Sequence, residues 1–267
     1  MYDIREKALR RFEAGERKPL LTRGNPKTEK SVKKGYLTAI LHLSPAQSIS
    51  RKNLCPFASA GCLKACLNTA GRGADYMLKN GVQTVQRARA LRTIWFEKDQ
   101  ASFLIQLEKE ITTFVKYAKS KDLIPCIRLN GTSDILWERH DIIQKFPDVQ
   151  FYDYRKAPVF SNIPKNYHLT FSRAEDNEDR VDKALEKGLN VAVVFNKLPK
   201  TWKGLPVIDG DETDLRFLDP KGCIVGLKAK GKAKQDTSGF VIISETIADN
   251  SVLQSRDRKL AAQSGFN

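Results

Sequence analysis

Three cysteines stand in one short run, Cys55-Pro-Phe-Ala-Ser-Ala-Gly-Cys62-Leu-Lys-Ala-Cys66. The C-x6-C-x3-C spacing lets three thiolates converge without help from distant parts of the chain. Clustered thiolates hold zinc or an iron–sulfur cluster, and the small residues between them leave backbone N–H groups free to hydrogen-bond sulfur. Structural zinc generally takes paired C-x2–4-C units, and no second pair exists here, which tilts the choice toward an iron–sulfur cluster of the [4Fe–4S] type. Three ligands leave a fourth position, either open to a substrate or cofactor or filled by His42, Cys126 or Cys223. Cys126 and Cys223 lie in apolar runs, where a free cysteine serves as a small buried hydrophobe. A nucleophilic role for the triplet lacks a histidine nearby to act as base.

The elements around this loop must place it. Residues 36–44 read as a buried strand closed by Pro45 and leading into a Cys/Gly-rich loop over 51–74. Residues 75–120 have a helical pattern broken near Lys98-Asp99-Gln100, where Asp99 can cap the second helix. Beyond them, apolar runs at 124–129, 149–152, 167–171, 190–195, 222–227 and 240–243 alternate with polar stretches, with helices expected at 137–145 and at 175–187, the latter stopped by Gly188. Continuous apolar strands separated by helices predict an α/β fold with a mostly parallel sheet. The expected architecture is a single βα barrel-like domain over 35–267, closed or partly open, preceded by a basic helical arm over 1–34.

Several of the strands end in residues able to do chemistry. Parallel α/β folds put their sites at the carboxyl ends of strands, so these residues are expected to share one mouth. Asn130, Ser133, Asp134, Asp153, Lys156, Ser172 and Arg173 are the candidates for orienting a ligand beside the cysteines. Glu138 reads as a helix-start carboxylate. Asp209, Asp211 and Asp214 surround Gly210 as in an acidic turn. Lys228 and Lys230 make a basic strand end suited to a carboxylate or phosphate.

Charge and composition bound the partners. The 267-residue chain is 41% hydrophobic and carries 46 Lys+Arg against 31 Asp+Glu, a formal charge of +15, which excludes wholesale disorder. Residues 1–34 hold eleven Lys/Arg and five Asp/Glu, so this arm is where nucleic acid could be engaged. No run approaches the length of a membrane helix, and the first residues lack the apolar core of a signal peptide, which predicts a cytosolic protein with no membrane partner.

The run from Cys55 to Arg72, with Arg128-Leu-Asn-Gly-Thr-Ser-Asp134, Phe151-Tyr-Asp-Tyr-Arg155 and Asp209-Gly-Asp211, resembles a group of bacteriophage proteins named after gene product eighty-eight. The resemblance spans roughly residues 36–243 and implies a viral protein acting in the host cytoplasm; the family carries no secure activity. The layout is also similar to that of radical S-adenosylmethionine enzymes, which set three cysteines in a loop after an early barrel strand and leave one iron open. That likeness implies S-adenosylmethionine as a cofactor and a small-molecule ligand at the open iron. The usual C-x3-C-x2-C spacing and the Gly-Gly-Glu element of those enzymes are both missing. The alternative reading is a basic nucleic-acid-binding protein with a structural zinc or iron–sulfur site.

Overall fold

The computed structural model describes residues 2–23, 26–69, 84–158 and 162–244. In chain order the helices and strands are α1 (Tyr2–Glu13), β1 (Leu21–Thr22), α2 (Pro26–Val32), β2 (Tyr36–Leu41), α3 (Ala60–Lys64), α4 (Thr84–Lys98), α5 (Gln100–Lys119), β3 (Ile124–Arg128), β4 (Gln150–Arg155), β5 (Tyr167–Ser172), α6 (Glu178–Glu186), β6 (Val191–Phe195), β7 (Thr201–Trp202), β8 (Leu205–Asp209) and β9 (Ile224–Lys228). Among the described residues nine strands form one sheet in the order β1-β2-β3-β4-β5-β6-β9-β8-β7. All pairings are parallel except those of the two-residue edge strands, β1 on β2 and β7 on β8.

The sheet is open. A closed barrel would pair β2 with β8, but their outer edges are taken by β1 and β7, so the ladder ends there. It nevertheless curls. In a flat sheet β2 and β8 would lie six strand spacings apart, about 29 Å. Yet Lys30, on the helix just before β2, reaches the Asp211 carbonyl just after β8 at 2.6 Å. The turn that follows β8 fills the inside of the curl, where Leu215 packs with Cys126 and Tyr152, and Phe217 sits edge-on to Tyr36 and Tyr152.

On the outer face, α4 and α5 bury Phe96, Phe103, Leu107, Ile111 and Phe114 against Leu41, Ile127, Phe151 and Leu169. Farther along, α6 closes Val181 and Ala184 over Phe171, Val193 and Ile224. The expected break at Asp99 is present, and its carboxylate accepts from the Ser102 N–H at 3.1 Å. The part of that helical stretch before Thr84 lies outside the described residues. Gly188 adopts φ +72° just after α6, as a C-terminal cap requires.

Three expectations change. The N-terminal segment does not stand off as an arm: Ala8 of α1 is buried against Ala90 and Ile94 of α4, and Arg5 pairs with Glu97 at 2.8 Å. Residues 137–145 form a short 3-10 turn, Trp137–Arg139, and then turns, because Asp141 takes a left-handed conformation and Ile142 and Ile143 are buried side by side. The run at 240–243 contributes a single parallel bridge, Phe195 to Ile242. Among the described residues no helix is long and apolar enough to cross a membrane.

Candidate functional site: a cysteine-lined cavity at the strand ends

A cavity of about 410 Å³ opens at the carboxyl ends of the parallel strands. Cys55, Cys62 and Cys66 line it together with Ser133 and Asp134 after β3, Lys156 after β4, and Ser172 and Arg173 at the end of β5. Ala192 and Val194 of β6, Leu227 of β9, Ala233 and Phe240 give it an apolar wall.

The cysteine loop is pinned to the sheet by its backbone. The Asp134 N–H donates to the Leu54 carbonyl at 2.8 Å, tying the loop to the end of β3. The next anchor is α3. Its N-cap Ser59 accepts from the Cys62 N–H, and the Glu175 carboxylate accepts from the Gly61 N–H at 2.6 Å and the Ser59 hydroxyl at 2.7 Å. A side chain at Gly61 would meet that carboxylate at 2.8 Å. Past Cys66, buried Arg89 of α4 grips Asn68 through its carbonyl and side-chain oxygen at 2.9 and 2.7 Å.

Two of the sulfurs receive backbone donors: Ala46 N–H to Cys55 Sγ at 3.3 Å, and Asn68 N–H to Cys66 Sγ at 3.5 Å. Burial, reinforced by Asp134 and the two other cysteines, pushes the Cys55 thiol up to about 12. Burial likewise raises Cys66, against the Asn68 N–H. Lys156 is desolvated, which works against its ammonium, but Cys62, Asp134 and Cys55 outweigh this and hold its pKa above the ordinary lysine value. Burial raises Asp134 despite Lys156, and its Oδ1 has no hydrogen-bond partner among the described residues. Bare thiolates at Cys55 and Cys66 are therefore costly here, and a bound cation would offset that cost. Among the described residues no three His, Cys, Asp or Glu side chains come together closely enough to share one metal ion.

The protein-family description "Gene product 88" matches residues 19–243, from the residue before the buried Leu20 to just past Phe240 of the cavity wall. The chain belongs to the gene product 88 family. No curated protein and no solved structure matches it.

In this family member two of the ligand-orienting candidates lie behind the cavity rather than in its lining. Asp153 is fully buried inside β4, which runs three residues farther than its apolar pattern suggested, and it accepts from the Asn130 N–H at 2.8 Å and the Tyr167 hydroxyl at 2.9 Å. Asn130 is spent on its own loop. Glu138 does not cap a helix but makes a two-pronged ion pair with buried Arg155, at 2.9 and 2.6 Å. None of the three candidates for a fourth ligand lines the cavity. Cys126 contacts Thr38 Oγ1 at 3.1 Å under the inner turn, Cys223 precedes β9 at the opposite strand end, and His42 faces Thr22 at 3.4 Å.

The cavity also contains Tyr154, which the sequence offers as a ring-framing or core aromatic, and three residues that sequence reasoning did not propose for the site, Lys30, Arg128 and Thr213. Arg128 is the last residue of β3, so the rule that selected the other strand ends could have found it. Its guanidinium lies 4.8 Å from the Tyr154 ring and 3.0 Å from the Asp214 carboxylate.

Proposed function

We propose that this protein binds an iron–sulfur cluster through Cys55, Cys62 and Cys66 and takes a small ligand beside it, S-adenosylmethionine being the cofactor the layout suits best. The observation that carries this reading is the opening of three cysteines from one loop into a single cavity at the carboxyl ends of parallel strands. When bound, such a cluster supplies an electron and an iron with a free coordination site.

The chain's own residues supply the rest. The Ala46 and Asn68 N–H groups stabilise negative charge on two sulfurs, and the Lys156 ammonium balances that on Cys62. Asp134 lines the wall beside Lys156, and its buried Oδ1 has no hydrogen-bond partner among the described residues. Arg173 holds Glu178 at 2.7 Å and the Gly239 and Phe240 carbonyls, so it builds the wall beside the ligand. The apolar side formed by Ala192, Val194 and Phe240 keeps water from the space next to the sulfurs. As a member of a phage family, the protein would act in the host cytoplasm.

Anaerobic purification with iron, sulfide and zinc analysis and a visible spectrum tests this, repeated on Cys62→Ala. Brown protein with matched iron and sulfide, bleached by the substitution, is the expected result. Colourless protein holding zinc, with salt-dependent binding to nucleic acid, would instead favour a structural metal in a nucleic-acid-binding protein.

A further inference from the structure

The cavity has a second charged region that the cysteines do not use. Six cationic side chains line it, Lys30, Arg128, Lys156, Arg173, Lys228 and Lys230, against three carboxylates, Asp134, Asp211 and Asp214. Lys156 and Arg173 are occupied beside the cysteine loop. The others stand over the ends of β3, β8 and β9. Lys228 Nζ meets Asp209 at 2.7 Å, Lys230 Nζ meets Asp211 at 2.6 Å, and Lys30 Nζ meets the Asp211 carbonyl at 2.6 Å. Below them, buried Arg128 is fixed by Asp214 and the Tyr154 ring.

We infer that this region is a phosphate-binding subsite, which seats the phosphate end of a small-molecule ligand whose other end lies toward the cysteines. The two lysine–aspartate pairs are half exposed, with Lys228 and Lys230 side chains 52% and 51% accessible. Such pairs contribute little to stability, so their ammonium groups exchange partners at little cost. A phosphate offers several acceptor oxygens at once and draws together three lysines that now share two aspartates. The apolar stretch formed by Ala192, Val194 and Leu227 lies between the strand ends that carry the lysines and those under the cysteine loop, and accommodates an uncharged middle. A cavity of this size holds a small molecule, not a folded partner.

The subsite does not depend on the cluster, and the experiment keeps the two apart. Pyrophosphate is titrated calorimetrically into the purified full chain at low ionic strength. The double variant Lys228→Gln/Lys230→Gln is expected to weaken binding by about tenfold or more. Lys232→Gln/Lys234→Gln, which removes two lysines of the same basic run that do not line the cavity, is expected to leave the affinity within about twofold. Lys30→Gln is expected to fall between. Cys62→Ala, which disables the cysteine set, should bind pyrophosphate as the unaltered chain does, so a failed cluster assignment leaves this result intact. The inference is overturned by undetectable pyrophosphate binding, by equal losses in the two double variants, or by loss of binding in Cys62→Ala. Displacement of pyrophosphate by a single-stranded oligonucleotide at matched phosphate concentration would also overturn it, in favour of a nucleic-acid strand.

Discussion

Asn130 accepts three hydrogen bonds on one side-chain oxygen, from the Ser133 hydroxyl at 2.8 Å, the Ile135 N–H at 3.0 Å and the Trp137 indole N–H at 3.1 Å. Its own amide donates to the Ile135 carbonyl at 2.9 Å, so the side chain rebuilds the path of the loop that carries Ser133 and Asp134. Removing it leaves the Ile135 N–H and a buried indole N–H without their partner, while the Ile135 carbonyl keeps the Trp137 N–H, and each unmet buried donor costs about 1–3 kcal/mol. Asn130→Ala is therefore expected to lower stability by about 3 kcal/mol in urea unfolding. The neighbouring Gly131 is equally constrained, since a Cβ there would stand 2.6 Å from the Leu41 carbonyl. Both residues look like ligand-binding positions in a strand-end motif, and both work by shaping the backbone beneath the cavity.

At the scale of elements, the N-terminal helix is held by charge as much as by packing. Arg5 donates to both Glu97 oxygens at 3.0 and 2.8 Å, and the Arg51 N–H adds a third bond at 2.9 Å. The Arg5 hydrogen bonds, aided by the Arg51 N–H, hold the Glu97 carboxyl at about 2, well below its ordinary 4.5. A carboxyl depressed on folding contributes stability that is present above pH 4.5 and is lost as pH falls toward 2. Urea unfolding across that window should show this loss in the unaltered chain and a flatter profile in Glu97→Gln, which is less stable at pH 7 by about 2 kcal/mol. The cysteine loop depends on a comparable device, the carboxylate of Glu175 from the loop after β5, set against the start of α3. Glu175→Ala is expected to cost about 1 kcal/mol and to speed alkylation of Cys62 in metal-free protein.

For the whole molecule, the sheet is built from distant pairings. Strand β2 finds its parallel neighbour only at β3, with Tyr36 opposite Ile124, and β6 pairs with β9 across the intervening β7–β8 hairpin. Loop closure must precede the contacts that reward it, which slows folding. Refolding from urea, followed by fluorescence of the buried Trp95, Trp137 and Trp202, is expected to take on the order of seconds or longer, with more than one phase. A single submillisecond phase would contradict this view of the assembly. The same curl that makes the sheet slow to assemble brings Lys30 within reach of Asp211 and places the two charged regions in one cavity.

Much of this was legible in local chemistry. The cysteine triplet, the strands at β2 to β6 and β9, the Asp99 cap and the Gly188 stop all depend on near neighbours in the chain, and short-range preference is enough to read them. Family membership was legible too, through motifs that the structure gathers around the strand ends. The short strands β1, β7 and β8 were not, because two of them hold only two residues and β8 breaks its apolar pattern with Pro206. Nor could the sequence separate Asp134, which lines the cavity, from Asp153, which supports it. That difference depends on where β4 ends and which way each side chain leaves the pleat, and alternate strand residues point to opposite faces. Whether the sheet closed was also a tertiary matter, decided by β1 and β7 occupying the edges that closure would have joined.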